Sequence, residues 1–151
     1  MNLRKVMSPA TITVALKSGA KEGIIEEMVD LLMATGKIKD LKDRKEAIKA
    51  ILDREKKMST GMQNGIAIPH GKTDTVETLV AAIGLKKEGV DFQALDGQPS
   101  RIFVMTLSPD TRTGPHIQFL AEISRQLSDA GIRERVLKAA TPEEVLDILS
   151  G

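Results

Sequence analysis

Two almost uninterrupted apolar runs limit the folds that this chain can adopt. They cover Leu79–Leu85 and Ile102–Leu107, and each has the length of a β-strand. A strand that is apolar at consecutive positions must be buried on both faces, because its side chains alternate between them. The sheet that contains these runs therefore needs a covering layer on each side, and the rest of the chain must supply both.

Helical periodicity supplies these layers. Apolar residues recur at helix spacing over 21–34, where Ile24, Ile25 and Met28 share one broad face. Helices are predicted at 21–34, at 43–56, from Pro115 onward, at 132–139, and after the capping signal Thr141-Pro142-Glu143-Glu144. Strands that interleave with helices predict an α/β fold with a central sheet covered on both faces.

Shorter strands are predicted at 11–16 and at Ile66–Ile68. We expect Pro69 to end the second strand, because proline has no N–H group to donate to a ladder. The segment Met58–Asn64 has the composition of a loop, and Asp96-Gly97 is a turn signal between the two apolar runs. These patterns do not predict the order of the strands in the sheet.

Composition excludes several classes of function. The 151 residues suit one domain, 1–151, and the net charge of +1 gives no reason to expect a nucleic acid partner or an anionic membrane. The chain has no cysteine, which excludes disulfides, zinc–thiolate sites and cysteine nucleophiles. It has no signal-peptide core and no apolar stretch long enough to span a membrane, so we expect a soluble, cytoplasmic protein.

One of the two histidines, His70, stands within the segment Gly65–Lys72, GIAIPHGK. It follows a predicted strand and a proline, and Gly71 keeps the next position small. Catalytic groups of α/β proteins often lie beside a sheet edge and a loop, which makes His70 a candidate site residue. The alternative is an inert loop histidine.

The second histidine, His116, falls in the first turn of a predicted helix that Thr113-Gly114-Pro115 begins. The positive end of the helix dipole disfavours a cation, so we expect a neutral imidazole there. Free N–H groups at that end favour an anion such as phosphate. The alternative is a solvent-facing residue without a role.

Two kinds of chemistry fit histidines without cysteine. Metal binding would use His70, His116 and Asp74, but no HxxH or HExxH spacing supports it. In phosphoryl transfer, one imidazole nitrogen attacks phosphorus while a hydrogen bond to a carbonyl or carboxylate keeps the proton on the other nitrogen.

A phosphoryl site also needs donors and cations around the three phosphoryl oxygens. The candidates are Thr60, the backbone near Gly71, and the arginines Arg54 and Arg112. GMQNG, residues 61–65, lacks the Walker pattern, and no GxGxxG follows a strand, so nucleotide binding is not indicated.

The segments Arg54-Glu55, Ser59-Thr60-Gly61 and GIAIPHGK, followed by GVDF, DG and His116 ahead of an apolar helix, are specific in combination. Together they resemble the fructose/mannitol class of IIA proteins of the bacterial phosphoenolpyruvate-dependent sugar phosphotransferase system. The resemblance covers essentially the whole chain. It implies a single-domain α/β sandwich with a central mixed β-sheet flanked by helices.

The resemblance also implies roles for three residues. His70 would be the phosphoacceptor that becomes a tele-phosphohistidine, His116 its companion in the active site, and Arg54 a cation that holds the phosphoryl group. The implied donor is the histidine phosphocarrier protein and the implied acceptor is a IIB domain. Neither a cofactor nor a metal nor membrane insertion is implied, although association with a membrane transporter complex is compatible with these roles.

Two outputs remain open at this point. The chain resembles sugar-uptake IIA proteins and equally the nitrogen-regulatory kind, in which phosphorylation controls binding to regulatory partners. Residues 62–64, Met-Gln-Asn, depart from the more regular turn that is common in the family, so the conformation of this loop is not predicted.

Overall fold

The computed structural model describes residues 2–111 and 113–151. After short 3₁₀ turns at Leu3–Lys5 and Pro9–Thr11, the helices are α1 (Lys21–Ala34), α2 (Leu41–Lys57), α3 (Thr113–Leu127), α4 (Ala130–Lys138) and α5 (Pro142–Ser150). The strands are β1 (Ile12–Thr13), β2 (Ile66–Ala67), β3 (His70–Lys72), β4 (Val80–Val90) and β5 (Ser100–Ser108). The predicted α/β fold is confirmed.

The five strands form one mixed sheet. Its order is β1-β4-β5-β2, and β3 also pairs with β5. The long central strands β4 and β5 are antiparallel to each other, whereas β1 runs parallel to β4, and β2 and β3 run parallel to β5. The mixed sheet flanked by helices that the resemblance implies is therefore present.

The two apolar runs are the centre of the sheet and are buried on both faces, as predicted. Phe103 and Met105 of β5 pack with the apolar faces of α1 and α2. Ile102 and Val104 of the same strand pack on the opposite side with α3, α4 and α5. Each side of the sheet thus has its own core, because alternate side chains point to opposite faces.

The helix signals are confirmed closely. The first helix has the predicted limits, and the second begins at Leu41 after the cap Asp40, whose side chain accepts from the N–H of Asp43. Thr141 caps α5 by accepting from the N–H of Glu144. An oxygen that accepts from one of the free N–H groups satisfies a donor that has no partner within the helix.

The predicted short strand is present as β2, which ends at Ala67 just before Pro69, but the chain does not leave the sheet there. Ile66 pairs with Ile102 of β5, and beyond the proline His70 pairs with Thr106, so the register continues unchanged. β2 and β3 are two parts of one extended segment at the side of the sheet. Proline is tolerated there because its missing N–H group can face away from the ladder, while its carbonyl accepts from the N–H of Thr106 at 3.1 Å. His70 consequently lies on a strand and not in a loop.

Gly71 lets α2 approach β3. A Cβ atom at position 71 would lie 3.0 Å from the amide nitrogen of Ile51 and 3.1 Å from the carbonyl carbon of Ala50. Both contacts are with helix backbone, which cannot rotate away as a side chain can.

Gly71→Ala should therefore destabilise the fold by about 1–3 kcal/mol, the usual cost of overpacking a core. Denaturant unfolding followed by circular dichroism measures the change. Gly19→Ala is the matched control, because open space surrounds position 19. Equal stability of the two variants would show that α2 can move away from the sheet at little cost.

Candidate active site

His70 is the first residue of β3 and is half-buried. Its Nδ1 atom lies 2.9 Å from the carbonyl oxygen of Ile68. A carbonyl can only accept, so Nδ1 carries the proton and donates it. In the neutral ring this leaves the lone pair on Nε2, which is the arrangement that nucleophilic attack through Nε2 requires.

The second histidine lies against the first. His116 is in the first turn of α3, and the centroids of the two rings are 5.4 Å apart with a tilt of 46°. Its Nε2 atom lies 3.0 Å from the hydroxyl oxygen of Thr106 on β5. A hydroxyl can both donate and accept, so this hydrogen bond is compatible with a neutral and with a charged His116.

Thr106 joins the two histidines, and sequence reasoning missed it. It is buried, it is the residue of β5 that pairs with His70, and its side chain contacts His116. Paired residues of neighbouring strands face the same side of a sheet, which brings His70 to the side that α3 covers. The available signal was a polar residue inside the apolar run 102–107, because a buried hydroxyl needs a partner.

The surroundings of His116 favour its neutral form. Burial lowers the pKa of His116 below its ordinary value, and the positive charges of His70 and Lys72 lower it further. The sequence argument expected a neutral ring because of the helix dipole, whereas these causes are burial and neighbouring charge. Lys72 stands two residues after His70 on β3 and so faces the same side of the sheet.

A lowered pKa has a defined effect on stability. Between the folded pKa of His116 and the ordinary value of about 6.5, the unfolded chain binds the proton and the folded protein does not. The free energy of unfolding should therefore increase with pH across this window, and this contribution is lost as pH falls through the folded pKa. NMR titration of the imidazole signals measures the pKa directly. His70→Gln should raise the pKa of His116, because it removes one neighbouring charge, and an unchanged titration would contradict this electrostatic account.

Within residues 2–111 and 113–151, Arg54 forms no hydrogen bond with either histidine. It is half-buried in the last turn of α2, and its Nη1 donates to the carbonyl of Met58 at 2.7 Å. This helix covers the side of the sheet opposite α3, so Arg54 would have to reach around β3 to meet a group on His70. Arg112, the other arginine named from the sequence, lies outside the described residues.

Thr60 does not present a free donor to the site. It is buried, and its hydroxyl and its N–H both donate to the carboxylate of Glu55. The expectation that Thr60 contacts a phosphoryl group is therefore replaced by a structural role. The backbone at Gly71, the other donor candidate, lies in the ladder between β3 and β5.

Two other classes of site find no support in the described part of the chain. Within residues 2–111 and 113–151, no group of three or more His, Asp or Glu side chains is arranged to hold a metal ion. His70, His116 and Asp74 thus form no such group. Over the same ranges, none of the helices combines the length and the apolar character that a membrane crossing demands.

Comparison with known proteins agrees with the family resemblance seen in the sequence. A profile of the family described as phosphoenolpyruvate-dependent sugar phosphotransferase system, EIIA 2, matches residues 5–151. The chain is 37% identical over 150 residues to the fructose-specific EIIABC component of Bacillus subtilis, a match that covers 99% of this chain and 23% of that longer relative. The chain thus spans less than a quarter of the length of this relative.

Solved structures share the whole fold. The nitrogen regulatory protein IIA-Ntr from Neisseria meningitidis is 29% identical, with a TM-score of 0.87 over 97% of this chain and 98% of that one. Enzyme IIA mannitol of Escherichia coli, solved in complex with phosphorylated enzyme IIB mannitol, is 27% identical, with a TM-score of 0.79 over 96% and 97%. The profile match over nearly all residues, together with this shared fold, shows that the chain belongs to the EIIA 2 family of the phosphoenolpyruvate-dependent sugar phosphotransferase system.

Proposed function

We propose that Nε2 of His70 is the covalent phosphoryl acceptor of this chain, with the histidine phosphocarrier protein as donor and a IIB domain as acceptor. The observation that carries this proposal is the bond from Nδ1 of His70 to the carbonyl of Ile68 at 2.9 Å, beside a second imidazole at 5.4 Å between ring centroids. The bond keeps the proton on Nδ1 and leaves Nε2 as the nucleophile.

The transfer needs no further proton at His70. The lone pair of Nε2 attacks phosphorus, the new N–P bond forms, and the N–P bond of the donor breaks, with the electron pair returning to the donor imidazole. Nδ1 keeps its proton and its hydrogen bond throughout, so the ring stays in place while phosphorus moves. The reverse sequence, with a IIB group as nucleophile, removes the phosphoryl group.

His116 changes its charge state in this scheme. Its lowered pKa keeps it neutral beside the free His70. A phosphoryl group brings almost two negative charges, which favour a protonated neighbour. The protonated ring then stabilises the phosphoryl oxygens, while the hydroxyl of Thr106 holds Nε2 of His116. Lys72 contributes a second cation on the same side of the sheet.

We retain Arg54 as a proposed contact of the phosphoryl group, reaching it around β3. Arg54→Lys should then slow transfer by roughly tenfold, because a point charge replaces a planar fork that can donate two hydrogen bonds. Stopped-flow or quench kinetics with a phosphorylated donor measure the rate. The neighbouring Asp53→Asn is the control. If Arg54→Lys transfers the phosphoryl group at the wild-type rate, Arg54 does not contact that group, and its role is limited to the hydrogen bond with the carbonyl of Met58.

Reconstitution tests the proposed function directly. The purified chain is incubated with phosphoenolpyruvate and the two general proteins of the system, and intact mass reports the gain of one phosphoryl group. Adding a fructose- or mannitol-type IIB domain should then discharge the chain. A chain that never gains the group under these conditions would refute the carrier assignment.

A regulatory output is the second candidate, and the fold match to a nitrogen regulatory protein at a TM-score of 0.87 favours it. Phosphorylation is the same in both cases, but in a regulator the added charge changes which partners bind to the face around His70. Transfer of the phosphoryl group to a IIB domain distinguishes the two outputs. Rapid discharge to a IIB domain supports transport, whereas a stable phosphoryl group in its presence supports regulation. A neighbourhood of IIB and IIC genes, as opposed to one around a nitrogen sigma factor, provides an independent indication.

A further inference from the structure

Glu55 is a buried carboxylate that the transfer scheme does not use. It is 6% exposed and lies in the last turns of α2, where the helix dipole disfavours an anion. A charge in such a position is retained only when its partners compensate for lost hydration. The function of Glu55 therefore depends on the groups that form hydrogen bonds with its carboxylate.

Four segments meet at this carboxylate. Lys21, the first residue of α1, donates to Glu55 at 2.8 Å and to the side-chain carbonyl of Gln93 at 2.9 Å. Its Nζ atom also lies 4.7 Å above the ring of Phe92. From the loop after α2, Thr60 donates both its N–H and its hydroxyl to Glu55. The carboxylate thus joins α1, α2, the segment at 92–93 and the loop that contains Thr60.

This loop leads to the proposed nucleophile through two hydrogen bonds. The carbonyl of Thr60 accepts from the N–H of Ile68 at 3.1 Å, and Gly61 is paired with Ala67 in the same short hairpin. The carbonyl of Ile68 in turn accepts from Nδ1 of His70 at 2.9 Å. Glu55 therefore anchors the residue whose carbonyl decides where the proton of His70 resides.

We propose that Glu55 is a positioning residue that, through Thr60 and Ile68, keeps the proton of His70 on Nδ1 and Nε2 free for phosphorus. This inference rests on the proposed function of His70. Glu55 touches no reacting atom in this scheme. It acts by fixing the direction of one backbone carbonyl, and misdirection of that carbonyl would let the ring adopt the Nε2–H tautomer, which cannot attack.

The tautomer of His70 is the decisive measurement. In ¹⁵N-histidine-labelled protein without phosphate, at a pH where the imidazole is neutral, NMR distinguishes Nδ1–H from Nε2–H. Glu55→Gln and Thr60→Val should each lower the ratio of Nδ1–H to Nε2–H roughly three- to tenfold, the effect of weakening about one neutral hydrogen bond. Phosphoryl acceptance should slow in proportion to the fraction of His70 rings that leave the Nδ1–H form.

Two control variants separate positioning from a general loosening of the fold. Thr60→Ser keeps the hydroxyl and should retain the wild-type ratio. Arg44→Gln breaks another ion pair between the same two helices, Arg44 to Asp30 at 2.6 Å, without touching the loop, and should leave the ratio unchanged. If Glu55→Gln does not fold, Thr60→Val still decides the question.

An unchanged ratio in a folded Thr60→Val would overturn the proposal, as would an equal shift in Arg44→Gln. The tautomer is read without any phosphoryl donor, so its result does not depend on the carrier assignment. Failure of wild-type labelling with a shifted ratio in Thr60→Val would refute the proposed function and leave the positioning effect in place.

Discussion

Replacing His70 with alanine should abolish labelling by phosphoenolpyruvate and the general proteins of the phosphotransferase system. The variant loses the lone pair on Nε2, and His116 cannot substitute for it. His116 is half-buried, its Nε2 atom is held by Thr106, and among the described residues no carbonyl accepts a hydrogen bond from its ring. Intact mass after incubation measures the effect, with wild-type protein in parallel.

The fold should survive this change, since His70 is only half-buried and lies at the side of the sheet. His70→Gln provides the matched variant that keeps a polar side chain of similar size, and it should be equally inactive. Circular dichroism verifies that both variants are folded. A phosphoryl group recovered on either variant would refute the acceptor assignment and direct attention to His116.

Replacing His116 with alanine should have a different effect: the chain still accepts phosphate but passes it on poorly. The nucleophile and its hydrogen bond to Ile68 are untouched. The variant lacks the imidazole that takes up a proton beside the phosphoryl group, a stabilisation that is strongest while charge moves between two proteins. We expect transfer to a IIB domain to be slower by about 10²–10³-fold, the usual effect of removing one such donor.

Single-turnover transfer from the phosphorylated variant measures this rate. Gln118→Ala is the control, because it changes an exposed residue of the same helix two positions further on. In the wild-type protein, phosphorylation should also raise the pKa of His116, which NMR titration before and after labelling tests. Unchanged transfer in His116→Ala would reduce this residue to a packing partner of His70.

The sequence predicted most of the architecture, for reasons that are local. Caps such as Asp40 and Thr141 and the apolar stripe of α1 act within a few residues, so their signals are contained in short windows. The two apolar runs likewise indicated strands buried on both faces. The resumption of pairing after Pro69 was missed. A missing N–H group disrupts a ladder only if it points toward the neighbouring strand, and the sequence does not show on which side that neighbour lies.

The site was predictable by residue but not by arrangement. His70 and His116 stand out as the two histidines of the chain, yet their proximity depends on the pairing of His70 with Thr106 across β5. This pairing joins two strands that lie far apart in the chain, so no short stretch of the sequence reveals it. Glu55 was missed for a similar reason, since a glutamate among lysines in a helix resembles a solvated residue until its partners Lys21 and Thr60 are known.

The borders of the sheet bear on how this molecule behaves at high concentration. β1 contributes only Ile12–Thr13 at one border, and at the other the hairpin at 60–62 covers β2, while Pro69 separates β2 from the three residues of β3. The free N–H and C=O groups of a long edge strand can pair with a strand of another molecule, and short edge strands and prolines hinder such pairing. The proline that precedes His70 therefore also helps to keep this border of the sheet from pairing with the edge of another molecule.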